Sequence, residues 1–325
     1  MNRQELIHKF LASKIFEQWH WFSYHFNFLN IGYEHHLVKS ILDCCLNVEI
    51  KLPGYSEKFV SDLASFSGIE KHLPHYEQLL QKLSELYVIN KAAEFEWEIG
   101  TKFYLEPTVG KSKKNPEINI ETPNYILGIE VKCPSLVNHI NVRQANPFQL
   151  SARSKDILDL AKEMHNNKVT LPRDNPVKDF LISANEKFES FKKNQSKPFF
   201  SVLFIVWDDY IYEPVTALTS PYSGLLTDNS FYKDKAGNAI KFPFVDSIVL
   251  LRNLRNIINA TRDEPLIEVS HSLEYTSKNV FPPKVFITVN NADNIPLDYI
   301  NAFELYPLEH MIGAEYKPSD GIFWI

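Results

Sequence analysis

The sequence predicts an α/β chain built on a central mixed β-sheet flanked by helices, with a helical region at its N-terminus. Three observations predict it. An apolar stripe at helical spacing runs through Tyr76, Leu79, Leu80, Leu83, Leu86 and Tyr87. Two short alternating segments follow between Asn115 and Ser135, joined by a polar turn. A continuous β-prone run from Phe199 to Val206 reads as a strand covered on both faces. In order these give helix, three strands, helix, strand, with further elements on each side.

Composition supports a folded chain. The 325 residues are 44% hydrophobic, enough for a full core, and 23% charged, which argues against global disorder. A net charge of −6 does not advertise nucleic-acid binding, but a local basic groove would suffice for it. Cys44, Cys45 and Cys133 make neither a disulfide framework nor metal-ligand spacing. The N-terminus has no apolar signal core, and the longest apolar run is too short for a bilayer. A reducing, cytoplasmic setting away from membranes is the expectation.

Residues 1–73 read as mostly helical. Leu6, Phe10, Ile15, Trp19 and Phe22 fall near helical spacing, and so do Leu37, Ile41 and Leu42. The dense aromatics between Phe16 and Phe28 suit a core or a partner surface better than base stacking. This region is expected to be a cap, a dimerisation surface or a recognition element. Residues 74–290 form the main domain. Pro74 starts its helix, Lys102 to Glu106 is a strand, and the two segments between Asn115 and Ser135 are the next two. Helices follow over Asp156 to Met164 and over Val177 to Lys193. The second buries Phe180, Leu181, Ala184, Phe188 and Phe191. Beyond Phe199 to Val206, strands are expected at Ser247 to Leu251 and Val285 to Val289, with a short helix from Leu254 to Ala260. Residues 291–325 are a C-terminal extension packed on the core.

The chemistry concentrates in the two segments between Asn115 and Ser135. Strand side chains alternate faces, so Glu130 and Lys132 point one way while Leu127, Ile129 and Val131 point into a core. Glu-x-Lys alone is a weak signal, since Glu49-Ile-Lys51 and Glu315-Tyr-Lys317 repeat it. Only Glu130 has Pro116-Glu117 thirteen residues earlier, at hairpin distance, and a glutamate-bearing helix upstream. Val109-Gly-Lys-Ser112 lacks the glycine-rich turn and the following helix of a phosphate-binding loop.

Two carboxylates on neighbouring strands suit Mg²⁺, which takes one or two carboxylates plus waters and phosphate oxygens. Glu117 and Glu130 are the candidate ligands, with the Val131 carbonyl as a third. Lys132 is placed to hold an attacking water or to stabilise negative charge. Glu85 on the preceding helix could accept a hydrogen bond from a coordinated water or complete a second metal site. Glu94, Glu96 and Glu98 could serve in its stead.

These residues resemble the signature of the PD-(D/E)XK nuclease superfamily, the restriction-endonuclease-like fold. The resemblance rests on Ser84-Glu85-Leu86-Tyr87, Glu106-Pro107, Asn115-Pro116-Glu117 and Gly128-Ile-Glu-Val-Lys132, and covers about residues 74 to 210. Glu117 stands where the pattern more often has Asp. The resemblance implies Mg²⁺-dependent cleavage of nucleic acid, with DNA ahead of RNA and Mn²⁺ able to substitute. By analogy it also implies a role in bacterial defence, restriction or repair, with a homodimer or an activating protein partner. Lys111, Lys113 and Lys114 lie on the loop before Glu117. Arg143 and Arg153 follow the Glu130 strand, and Lys187 sits on a later helix. All six are candidates for contacting phosphates. The alternative expectation is a non-catalytic nucleic-acid-binding or assembly protein on the same fold.

Overall fold

The computed structural model describes residues 1–109, 114–135, 139, 142–143, 145–146, 148–150, 155–171, 173–194, 197–208, 212–262, 271–273, 284–290, 295–308 and 323–324 of the chain. The N-terminal part is helical: α1 (Arg3–Leu11), α2 (Lys14–Glu17), α3 (Ser23–Asn27), a 3₁₀ turn (Phe28–Ile31), α4 (His36–Lys51) and α5 (Tyr55–Ser65). Local chemistry sets the ends. At the start of α1 the Glu5 N–H donates to the Asn2 side chain at 2.9 Å, and the Asn2 N–H donates to the Glu5 carboxylate at 2.8 Å. Gly54, with φ of +88°, makes the left-handed turn into α5. Glu49, from the first of the repeated Glu-x-Lys motifs, accepts the Gly54 and Ser56 N–H groups there and so has a structural task.

The long helix α6 (Leu73–Glu94) carries Pro74 in its first turn and buries the whole expected stripe. Next come β1 (Lys102–Leu105), β2 (Ile118–Glu121) and β3 (Ile126–Lys132). An insertion then carries β4 (Phe148–Leu150), α7 (Lys155–Met164) and β5 (Val169–Thr170). The core resumes with α8 (Asp174–Asn194), β6 (Phe199–Val206), α9 (Tyr212–Thr219), β7 (Ser247–Leu251), α10 (Leu254–Thr261) and β8 (Lys284–Thr288). The described chain closes with α11 (Leu297–Ala302), β9 (Tyr306–Pro307) and β10 (Phe323–Trp324).

The main sheet has seven strands in the order β1-β2-β3-β6-β7-β8-β9. β2 runs antiparallel to both β1 and β3, and β3, β6 and β7 run parallel. β8 returns antiparallel, so the sheet is mixed. Alternation sorts its residues onto two faces. Leu127, Ile129, Val131, Val202 and Phe204 meet α4, α5 and α6 in one core. Ile126, Leu203, Ile205 and Ile248 share the other core with Val177, Leu181, Ala184, Phe188 and Phe191 of α8 and with Val215 and Leu218 of α9. Phe180, expected inside, is only partly buried at the rim of that core. Gly128 is required on β3: a Cβ there would lie 2.3 Å from the Phe199 ring.

Residues 1–73 share a core with the main sheet. Leu6, Phe10, Phe22, Phe26, Leu37 and Ile41 belong to the same continuous core as Ile129 and Phe204. Within the aromatic stretch Phe22 and Phe26 are interior, Phe16 and Trp21 are partly buried against that core, and Tyr24 stays exposed. Tyr299, Phe303 and Leu305 of the C-terminal extension join that core too. The second sheet, β10-β4-β5, is one that periodicity did not predict, because its strands are two or three residues long. Among the described residues no helix is long and apolar enough to cross a membrane.

Candidate active site

β2 and β3 pair with Ile118 opposite Ile129, which sets Glu117 opposite Glu130 at the start of the ladder. The Glu117 N–H donates to the Ile129 carbonyl at 3.0 Å. Directly opposed residues share one face of a sheet, so both carboxylates lie on the same side. Glu130 is fully buried. Its Oε1 accepts from Lys187 Nζ at 2.6 Å and lies 2.7 Å from Lys132 Nζ. Its Oε2 is buried and has no hydrogen-bond partner. Lys187 Nζ is also 3.7 Å from Glu117 Oε1. The Lys187 ammonium thus stands between the two carboxylates.

Glu85 arrives from α6, on the opposite face of the sheet. Its Oε1 accepts from Gln81 Nε2 at 2.8 Å and its Oε2 from Lys82 Nζ at 2.7 Å. The Gln81 amide also donates to the Val131 carbonyl at 3.0 Å. Burial, then the charges of Glu85 and Glu130, push the Glu117 carboxyl up to about 8, against the pull of Lys187 and Lys82. Burial works against the charged forms of Lys187 and Lys82, but Glu130 and Glu85 respectively outweigh it and raise both.

The structure thus brings Glu85, Glu117, Glu130 and Lys132 together. Glu94 bonds instead to Asn90 and Lys91, and Glu98 to Asn124, so neither takes the place of Glu85. Lys187, expected on a phosphate-contacting wall, is bonded into the centre of the site. Gln81 and Lys82 were missed. Their spacing of four and three residues before Glu85 on one helix is the signal that could have found them. Asp62 and Lys58 of α5 also reach this place. With Glu85, Glu106, Glu117 and Lys82 they line a cavity of about 20 Å³, room for one water-sized occupant.

Arg143 is placed elsewhere than expected. It is buried, 3.2 Å from Asp208 and 3.0 Å from Glu213. Arg173 reaches the same two acids and stacks over the Trp207 ring at 4.4 Å. Arg143 is committed to carboxylates and is not displayed on a groove. Lys114 is exposed and paired with Glu186 of α8. Lys111, Lys113, Arg153 and the decoy Glu315 lie outside the described residues.

Among the described residues no group of three or more His, Cys, Asp or Glu side chains is arranged to hold a metal ion. The carboxylates here are paired with lysines, Glu130 with Lys132 and Lys187 and Glu85 with Lys82. The donor set still fits Mg²⁺ chemically. Two opposed carboxylates, one with a buried bare oxygen, and a nearby backbone carbonyl are hard oxygen donors in the number Mg²⁺ takes from protein. No family model, no curated protein and no solved structure matches the chain.

Proposed function

We propose that this chain is a Mg²⁺-dependent nuclease of the PD-(D/E)XK type, hydrolysing phosphodiester bonds with DNA ahead of RNA. The observation that carries this reading is the opposition of Glu117 and Glu130 on adjacent strands, with Lys132 on the same face and Glu130 Oε2 buried without a donor. A buried carboxylate oxygen without a donor is costly unless a cation or donor reaches it. The order α6, β1, β2, β3, α8, β6 supports the restriction-endonuclease-like reading of the fold.

Glu117, Glu130 and the Val131 carbonyl would hold the ion. A bound Mg²⁺ supplies Lewis-acid stabilisation of phosphate charge. Lys132 is one-fifth exposed beside the buried Glu130. From there its ammonium can orient the attacking water or meet the negative charge developing on phosphate. Lys187 acts as the counter-cation of Glu130. Once displaced, its flexible stem lets it contact a phosphate.

The test is cleavage of plasmid and oligonucleotide substrates with Mg²⁺ or Mn²⁺. Wild type is expected to cut. Glu130→Ala and Lys132→Ala are expected to be at least ~100-fold slower. Equal activity in all three, or none in wild type, would overturn the reading. One observation favours the alternative of a non-catalytic nucleic-acid-binding protein: lysines already satisfy much of the carboxylate charge without an ion. That reading expects nucleic-acid binding that is indifferent to divalent cations.

A further inference from the structure

Alternate carbonyls of β3 face β2. That of Ile129 accepts the Glu117 N–H at 3.0 Å. The next on that side belongs to Val131, and β2 pairs only from Ile118 onward. Beyond the ladder the Val131 carbonyl accepts from a side chain, the amide of Gln81 at 3.0 Å. The same nitrogen donates to Glu85 Oε1 at 2.8 Å. One amide thus spends both N–H groups on two oxygens from different elements, one on α6 and one on β3.

We infer that Gln81 is a positioning residue for divalent-cation binding, fixing the Glu85 carboxylate and the Val131 carbonyl so that both oxygens converge on one point. The inference rests on the metal-dependent reading above. Its chemistry is specific to an amide. An ammonium or guanidinium between these oxygens would compete with an incoming cation by charge. A neutral amide orients them without that competition. A carboxylate has about four lone-pair sites and a carbonyl two, so each oxygen keeps acceptor capacity for the ion. Without Gln81, Glu85 would be held through Lys82 alone, and Lys82 also lies 3.7 Å from Asp62. The carboxylate would then be free to turn towards α5. Outer partners of this kind typically carry ~10- to 100-fold of metal affinity.

The test is a calorimetric titration of Mn²⁺ alone into wild type, Gln81→Met and Glu130→Gln, with thermal unfolding of each in chelator. Methionine keeps the volume and helix propensity of glutamine and removes both donors. The expected result is Mn²⁺ binding in wild type and binding at least ~10-fold weaker in Gln81→Met. Glu130→Gln should bind none. A purely structural role for Gln81 would move the unfolding temperature and leave the dissociation constant alone. Wild-type affinity in Gln81→Met, with binding lost in Glu130→Gln, would overturn the inference and leave the nuclease reading standing. No Mn²⁺ binding by wild type would overturn both. Should Gln81→Met fail to fold, Gln81→Ala takes the same titration with the same two outcomes.

Discussion

Two buried clusters of charge lie near the C-terminal ends of β3 and β6, and they are balanced in opposite ways. Past the end of β6, Arg143 and Arg173 each reach both Asp208 and Glu213. Burial alone would raise Glu213, but His139 and the two guanidiniums pull it down to about 2. At β3, two ammoniums fall on the same oxygen of Glu130 and leave the other bare, while Glu117 is pushed up to about 8. Burial and charge count are similar in the two places. What differs is donor geometry: each planar guanidinium comes within 3.2 Å of both acids, whereas the Lys187 ammonium bonds Glu130 at 2.6 Å and stays 3.7 Å from Glu117. The first cluster pairs both of its acids with both of its guanidiniums, and it ties the insertion between β3 and α8 to the core. The second leaves one buried carboxylate oxygen, Glu130 Oε2, without a donor, and that oxygen is the one the proposed cation would meet.

The sharpest way to break this contrast is to remove one cation from each cluster. Arg173→Met should destabilise by about 3–5 kcal/mol in urea unfolding, because two buried acids lose a shared partner. Lys187→Met should cost less than half as much, since Lys132 remains on Glu130 Oε1. Equal costs would erase the distinction.

Acid and base titration of stability should then run in opposite directions. Glu213 sits below its ordinary value of 4.5, so the unfolded chain binds its proton first. Its stabilisation, roughly 3 kcal/mol, is present above pH 4.5 and lost as pH falls towards 2. Glu117 sits above 4.5, so the folded chain keeps the proton that the unfolded chain releases. Stability should therefore decline as pH rises from 4.5 to about 8. Urea unfolding across pH should show the acid-side loss disappear in Glu213→Gln and the neutral-side decline disappear in Glu117→Gln.

A smaller effect is expected on cation affinity. Lys187→Met should tighten Mg²⁺ binding about tenfold, because a competing charge leaves the site. Unchanged or weaker binding would show that Lys187 does not occupy the cation's place. The smallest effect belongs to the surface. Lys114→Ala should shift stability by less than ~0.5 kcal/mol, since its pair with Glu186 is exposed. If Lys114 contacts phosphate, the salt dependence of DNA binding should lose about one unit of slope.

Much of this geometry is legible in the sequence. The apolar runs of β6 and β7 appear at their observed bounds, because strands buried on both faces read as unbroken runs. Glu130 and Lys132 follow from the alternation of β3, and Glu117 from the length of the hairpin. What stayed hidden depends on contacts across long stretches of chain. Lys187 meets Glu130 over 57 residues, and Arg143 meets Asp208 over 65, and no local pattern encodes either. The N-terminal helices show an apolar face without showing what it covers, so their union with the sheet core could not be read.

The most direct test of the contrast is Mg²⁺ binding by folded wild type, Glu130→Gln and Glu213→Gln, measured by calorimetry at one pH. Wild type and Glu213→Gln should bind Mg²⁺ with the same affinity, and Glu130→Gln should lose it. Wild-type affinity in Glu130→Gln, or no binding by wild type, would contradict the assignment of the β3 cluster as a cation-dependent catalytic site.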